Sequence, residues 1–450
     1  MQTDQILSCT KKRLFVWLSV ALGLTIMLLS YGNLNYNMSL PHFMTNQFAK
    51  DTGVKTNGKT SEPMSRENAT YDGVTARYLE ELSRFYAVQE ADCSRLFSGD
   101  KNYTEEVVQM VPTLNESLSD EYYMNLTEDC EAFRRTRGYV MSSLTDEERE
   151  FPIAFSIVAF KNSEMVERLL RAIYRPQNYY CIHVDVKASN GFLRAISAVA
   201  QCFPNVFLPL NRLKVTWGTF SVLESELSCM RELGRYKKWK YFINLTGQEF
   251  PLKTNFELVK ILKSYNGANN IEGVLKRANQ YRWKNKPPPF GLRPVKGSVH
   301  ITASRFFIDY ILHNDTAEAV LNWTRTILIP DEAYFSTLNY NPELGIRGTY
   351  NGNPDGMYAF LTRFKIWSPY KPWCPGHAVR WVCIQSTPDL PRLGQAKHLF
   401  ANKFYLEEDR VVIGCLEEKL SNDTRDEYMG IKAFNDTYYR NLIFVKNQIL

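Results

Sequence analysis

The sequence predicts an α/β protein with a parallel, doubly wound sheet, carried behind an N-terminal membrane anchor. Two observations predict this. From residue 151 onward, short apolar runs of strand character alternate with runs of helical period. Near the start, an uncharged run from Leu14 to Tyr31 follows the basic cluster Lys11 to Arg13.

The run Leu14–Tyr31 is just long enough to span a thin bilayer as a helix. It is longer than a usual signal-peptide core, and no clear small-x-small cleavage site follows, so it reads as a retained signal-anchor. The basic cluster keeps residues 1–13 cytosolic, and the rest of the chain lies on the lumenal side as a single-pass type II protein. Residues 32–90 are polar, lack a sustained apolar period and read as a stem. Residues 91–150 read as a loop-rich lead-in to a lumenal catalytic domain spanning 91–450.

Two patterns agree with a lumenal domain. Glycosylation sequons open at Asn37, Asn68, Asn102, Asn115, Asn125, Asn314, Asn322, Asn422 and Asn435, all past the anchor. Asn244 also fits the pattern, but it sits in the strand-like "YFINLTG" and is expected to be buried. Of nine cysteines, Cys9 precedes the anchor, and the other eight form an even set suited to disulfides. Spacing alone pairs only Cys374 with Cys383, as the staple of a hairpin. No C-x-x-C pair or His-rich spacing points to zinc.

Within 151–265 the elements follow in order. "FPIAFSIVAF" is a buried strand, and "SEMVERLLRAIY" a helix with Ser163 as its N-cap. "YYCIHVD" is a strand ending at Asp185. Then come a helix "NGFLRAISAVAQCF", a short strand "NVFLP", a helix "VLESELSCMRELGRY", a strand "WKYFINLTG" and a helix "NFELVKILKSY". Ligands of such sheets bind at the carboxyl ends of the strands, where Asp185 and the loop "TGQEFPLKTN" fall. The half from 266 to 450 is less regular. It has a proline run "KNKPPPF", helical "RFFIDYIL" and "PDEAYFSTLNY", and strand-like "RFKIW" and "HAVRWVCI". It is expected to form the second wall of a cleft.

Composition narrows the chemistry. A net charge of +6 on 450 residues is mild, and too diffuse for a nucleic-acid partner. There is no G-x-G-x-x-G after the first strand and no P-loop lysine motif, so dinucleotide and ATP readings are weak. An anchored, lumenal α/β domain suits the nucleotide-sugar glycosyltransferases of the Golgi. Many of those hold a metal on Asp-x-Asp, which this sequence lacks. A divalent metal needs several oxygen ligands, so no metal cofactor is expected, and arginine or lysine must neutralise the leaving pyrophosphate.

The motifs "RAIYRPQNYYCIHVDVKA", "WKYFINLTGQEFPLKTN", "PDEAYFSTL", "VRWVCI", "LFANKF" and "CLEEKL" together resemble the core 2/I-branching β-1,6-N-acetylglucosaminyltransferases over roughly residues 90–420. The resemblance implies a GT-A fold with a nucleotide-sugar half (151–265) and an acceptor half (266–450). It implies inverting, metal-independent transfer of GlcNAc from UDP-GlcNAc onto a galactosyl-GalNAc O-glycan at the Golgi membrane. Glu332 is then the general base, and Arg380 and Lys403 contact the diphosphate. Asp185 binds the uridine portion near Val158, and Trp217 stands where the family has a tyrosine. The implied disulfides are Cys93–Cys415, Cys130–Cys202, Cys181–Cys229 and Cys374–Cys383. One base suits a single displacement at the anomeric carbon, whereas a glycosidase needs two opposed carboxylates. Asp331, the neighbour of Glu332, is expected to cap the helix start.

On the acceptor side Glu272, Arg282 and Trp367 match family positions. Asn279 replaces a lysine, and the family W-x-Y becomes Trp367-Ser368-Pro369-Tyr370. On the donor side V-x-H becomes Val158-Ala159-Phe160, and Thr246 replaces an unpaired cysteine. Alternative readings are an I-type acceptor or other β-1,6 transfer, a distantly related protein xylosyltransferase, and a type II lectin-like receptor. The receptor would need a β-rich calcium domain rather than alternating α and β.

Overall fold

The computed structural model describes residues 72–114, 117–276, 278–356, 359–370 and 372–450. The expected anchor Leu14–Tyr31 lies outside them. Among the described residues, no helix is long and apolar enough to cross a membrane.

The strands are β1 (Ile153–Ala159), β2 (Tyr179–Val184), β3 (Val206–Phe207), β4 (Tyr241–Thr246), β5 (Glu249–Pro251), β6 (Asn270–Ile271), β7 (Ile301–Ser304), β8 (Arg363–Phe364), β9 (Ala378–Val379), β10 (Val382–Cys383) and β11 (Phe400–Asn402). The central sheet has the order β3-β2-β1-β4-β7-β6. β3, β2, β1 and β4 run parallel, while β7 is antiparallel to both β4 and β6. The sheet is thus mixed: parallel through β3, β2, β1 and β4, with an antiparallel edge supplied by the second half. This mostly parallel α/β architecture fits a GT-A-like glycosyltransferase.

Alternation along the strands divides the interior into two cores. Phe155 and Ile157 of β1 and Ile243 and Leu245 of β4 face one core, with the helices Ser163–Ile173, Asn190–Gln201 and Asn255–Tyr265. Ala154 and Phe242 face the other, with Phe220–Gly234, Arg305–His313, Asp315–Thr324 and Tyr334–Asn339. Helices on both faces explain why β1 reads as a continuous apolar run.

Local expectations shift in three places. Asn162, not Ser163, caps the first helix of the sheet. Its φ is 60°, and its side chain accepts a hydrogen bond from the Met165 amide. The lead-in expected to be loop-rich is a series of short helices, including Lys101–Met110, Asp120–Leu126 and Cys130–Thr136. Within the segment read as stem, Gly73–Phe85 is a helix, capped by Asp72, that buries Leu79 and Leu82.

The disulfides are Cys93–Cys415, Cys130–Cys202, Cys181–Cys229 and Cys374–Cys383, the four pairs that the resemblance implies. Cys93–Cys415 joins residues 322 apart and ties the start of the catalytic domain to its last long helix, Val411–Tyr428. Of the sequons, Asn102, Asn125, Asn314, Asn322 and Asn435 are exposed and Asn422 is half-buried; Asn37, Asn68 and Asn115 lie outside the described residues. Asn244 is buried. Its amide donates to the Val299 carbonyl and accepts from the Ile301 amide, fixing β4 against β7.

A second sheet, β5-β11-β8, joins the two halves. Its centre is a fully buried ion pair, Glu249 on β5 with Arg363 on β8, at 2.7 Å. Glu249 also accepts from Asn402 on β11 at 2.9 Å, so one carboxylate holds all three strands. Arg363 additionally donates to the carbonyls of Thr362 and Asn244. Removing one partner of a buried, hydrogen-bonded pair strands the other charge, so Arg363→Met is expected to cost about 3–5 kcal/mol. Chemical denaturation measures this loss, and Glu249→Gln added to Arg363→Met is expected to recover part of it.

Candidate active site

The site is assembled from loops at the carboxyl ends of β1 and β2 and from the second sheet. Val158 is half-buried near the end of β1, and its carbonyl accepts from the Gly247 amide. Asp185 follows β2 and is buried. Its carboxylate accepts from the Lys187 amide at 2.8 Å and pairs with the Lys187 ammonium at 3.2 Å.

The 212–218 loop lies against this edge. Arg212 donates to the carbonyls of Val184 and Asp185, and Lys187 reaches the Val215 carbonyl. The loop ends at Trp217, whose indole is 60% exposed. Gly218, at φ 76°, then presents its carbonyl to the Ile329 amide, the residue before Pro330-Asp331-Glu332. One short loop therefore links the strand-end aspartate to the carboxylate pair.

Arg380 and Lys403 come together, as the reading of the two cations requires. Arg380 sits with its guanidinium 5.5 Å from the Trp217 ring centroid. Lys403 follows β11 and donates to the Val379 carbonyl at 3.3 Å. Burial, then repulsion from Arg380, pushes the Lys403 ammonium below its ordinary pKa. Two like charges held this close suit an anion between them.

Arg380 and Trp381 form the two-residue turn of the β9–β10 hairpin, with φ of 54° and 67°. Two positive φ values are the pattern of a type I′ turn, where Asn-Gly is favoured. Here an arginine and a 70% exposed tryptophan hold it instead, pinned by Cys374–Cys383. Such strain marks a position where the side chains matter more than the turn. Trp367 bridges to Val382 of the same hairpin, so Trp367, expected to bind acceptor, is joined to the element that carries Arg380.

Glu332 ends a 3-10 turn, Pro330–Glu332. Its Oε2 pairs with Arg282 at 2.6 Å and with Lys296 at 3.4 Å, and its side chain keeps 27% exposure. Oε1 makes no hydrogen bond among the described residues. Arg282, expected to bind acceptor, pairs with Glu332 through one guanidinium nitrogen, and its Nε has no hydrogen-bond partner among the described residues. Lys296 was missing from the sequence reading, and "RPVKG" carries no signal that would have found it.

Glu272 follows β6 beside Glu332, with Gly297 between them. The Gly297 amide donates to the Glu332 carbonyl at 2.7 Å, and a Cβ there would lie 2.3 Å from the Glu272 carbonyl oxygen. Only glycine allows this approach.

Asp331 does not cap a helix. The helix Tyr334–Asn339 begins after a break at Ala333 and has no side-chain cap. Asp331 is instead buried, and its Oδ1 has no hydrogen-bond partner. Burial, reinforced by the neighbouring Glu332 charge, raises its carboxyl to about 7. Asn279 is exposed, and Tyr370 is exposed beyond Trp367. Among the described residues, no three His, Cys, Asp or Glu side chains converge as a metal set. A separate cavity of about 340 Å³, lined by Arg137, Arg168, Arg171 and Arg410, holds none of these site residues. Its arginines are paired with Glu164, Glu167 and Glu417.

Comparison with known proteins gives a consistent picture. The model of the Core-2/I-Branching enzyme family matches residues 153–393. The β-1,3-galactosyl-O-glycosyl-glycoprotein β-1,6-N-acetylglucosaminyltransferase of Homo sapiens is 35% identical over 381 residues, covering 77% of this chain and 88% of that protein. The protein of the same name from bovine herpesvirus 4 (strain LVR140) is 35% identical over 370 residues, covering 74% and 83%. The β-1,3-galactosyl-O-glycosyl-glycoprotein β-1,6-N-acetylglucosaminyltransferase 3 of Bos taurus is 35% identical over 370 residues with the same coverage.

Two outcomes follow from the geometry. Replacing Arg380-Trp381 by Asn-Gly relieves about 1 kcal/mol or more of left-handed strain. Amide hydrogen exchange within 377–384 is expected to slow while sugar transfer falls. For Asp331, an unfolded carboxyl titrates near about 3.9 and the folded one near 7. Between these values the folded protein holds a proton that the unfolded chain has lost, so stability falls as pH rises. The melting temperature of Asp331→Asn is therefore expected to gain on the wild type from pH 4 to 7 and to hold that gain above.

Proposed function

The chain belongs to the core-2/I-branching enzyme family, and from that premise we propose that it transfers GlcNAc from UDP-GlcNAc in β-1,6 linkage onto a galactosyl-GalNAc (core 1) O-glycan. The observation that carries this reading is the division of charge in the site. A carboxylate, Glu332, is oriented on one side, and two cations, Arg380 and Lys403, stand together on the other.

The reaction is a single displacement with inversion. The 6-hydroxyl of the acceptor attacks the anomeric carbon as the bond to the UDP oxygen breaks. The hydroxyl proton passes to Glu332, for which Oε1 is free while Arg282 and Lys296 hold Oε2. The charge left on the diphosphate falls to Arg380 and Lys403, the task that a divalent metal performs elsewhere. Trp217 and Asp185 line the uridine end, and Glu272 and Trp367 the acceptor end. Four disulfides and the uncharged run Leu14–Tyr31 favour an oxidising lumen and a type II anchor, which we place in the Golgi membrane.

The test is transfer from UDP-GlcNAc to galactosyl-β-1,3-GalNAc by the full-length chain with EDTA present. Activity is expected to persist. Glu332→Gln is expected to lower kcat by about 10²–10⁴-fold, and Lys403→Met by about 10²–10³-fold. Strict dependence on added Mn²⁺ overturns the cation reading. Transfer to N-acetyllactosamine chains in place of the core 1 disaccharide assigns an I-type acceptor instead.

A further inference from the structure

The segment after β8 is extended, so residues 363, 365 and 367 share one face. Along that face the environment changes in steps. Arg363 is fully buried and spent on Glu249. Lys365 is half-buried, with its ammonium 5.6 Å from the Trp367 ring centroid. Trp367 is 47% exposed. The alternate residues turn inward: Thr362 bonds Asn270, Phe364 packs edge-on against His398, and Ile366 is buried.

Lys365 makes no hydrogen bond or ion pair with any described residue. The surrounding carboxylates are placed so that this is not an accident of a crowded surface. Glu249 is taken by Arg363 and Asn402, and Oε2 of Glu332 by Arg282 and Lys296. Glu272 lies within electrostatic reach of Lys365, and its side chain has no hydrogen bond among the described residues either. A structural lysine closes onto such a carboxylate. Here an ammonium and a carboxylate stand unspent beside an exposed indole. A sugar hydroxyl both donates and accepts, and a sugar face stacks on an aromatic ring. The trio is complementary to that chemistry.

We propose that Lys365 is a specificity-determining residue of the acceptor site, donating a hydrogen bond to a hydroxyl of the acceptor sugar that stacks on Trp367, while Glu272 accepts from a hydroxyl of the same sugar. This rests on the transferase reading above. Burial lowers the Lys365 ammonium to about 8, opposed by Glu272, Glu249 and Glu332 and assisted by Arg363. Neighbouring His300 is pushed well below its ordinary range by burial and by Lys365, Arg363 and Lys403, and stays neutral. The donor strength of Lys365 is therefore lost as pH rises through about 8.

The test uses the full-length chain. Lys365→Met is expected to raise the acceptor KM at least tenfold at pH 6.5, an effect of the order of a lost charged hydrogen bond, with kcat and the donor KM unchanged. Lys365→Arg is expected to restore part of the loss, and to flatten the rise of acceptor KM above about pH 8. An unchanged acceptor KM overturns the proposal. A parallel fall in kcat and donor affinity also overturns it, because that pattern belongs to a structural role through Arg363. Saturation-transfer NMR of galactosyl-β-1,3-GalNAc on wild type and Lys365→Met separates this from failure of the transferase reading. Disaccharide bound by wild type but not by the variant supports Lys365 even where no transfer is seen. Equal binding, or none to either, overturns it.

Discussion

The Glu249–Arg363 pair is the constraint on which the rest of the site depends. Its two charges come from different halves of the chain and meet where neither is exposed. Glu249 also takes Asn402, the residue before Lys403, so Lys403 is positioned by a carboxylate from the 151–265 half. Arg363 starts the extended run that carries Lys365 and Trp367. A single buried carboxylate thus fixes where Lys403 and Trp367 lie relative to the central sheet. The cost of burying two ions is offset only because each makes several hydrogen bonds, which makes the pair intolerant of partial removal.

The same economy governs the mouth of the site. Elements distant in sequence are joined by few, directional contacts: Gly218 to Ile329, Gly297 to Glu332, Trp367 to Val382. At or beside these contacts, three residues hold conformations that ordinary propensity disfavours. Ile329, Arg380 and Trp381 all have positive φ without being glycine. A β-branched residue in the left-handed region just before the Asp331–Glu332 pair needs outside support, and the Gly218 carbonyl supplies it. Among the described residues, no central strand holds a positive φ.

What the sequence disclosed follows from the range of the forces involved. Strands β1, β2 and β4 and their helices were legible because burial on both faces writes a continuous local pattern. The hairpin staple Cys374–Cys383 was legible from a separation of 9 residues. The antiparallel edge, β7 and β6, was not, because their 4 and 2 residues carry little period. Asp331 was misread because a proline and two acids resemble a helix start. Nothing local reveals that the turn is 3-10, that it breaks at Ala333 and that Asp331 is enclosed. Lys296, Glu249 and Lys365 were invisible for a related reason. Lys296 and Glu249 pair with Glu332 and Arg363, 36 and 114 residues away, and Lys365 feels the charge of Glu272, 93 residues away, without pairing to it.

The site separates two electrostatic tasks that would otherwise cancel. A base must lie near cations that orient it, yet the leaving group needs cations that remain unspent. Glu332 is served by Arg282 and Lys296, both from the 266–297 segment. Arg380 and Lys403 come from the hairpin and from the residue after β11, and Arg380 stands against an indole rather than a carboxylate. An aromatic face attracts a guanidinium without neutralising it. Trp217 can therefore hold Arg380 in place and leave its charge available, which a carboxylate at the same position would not. The reach from one charge group to the other is bridged by the 212–218 loop and by the face of residues 363–367.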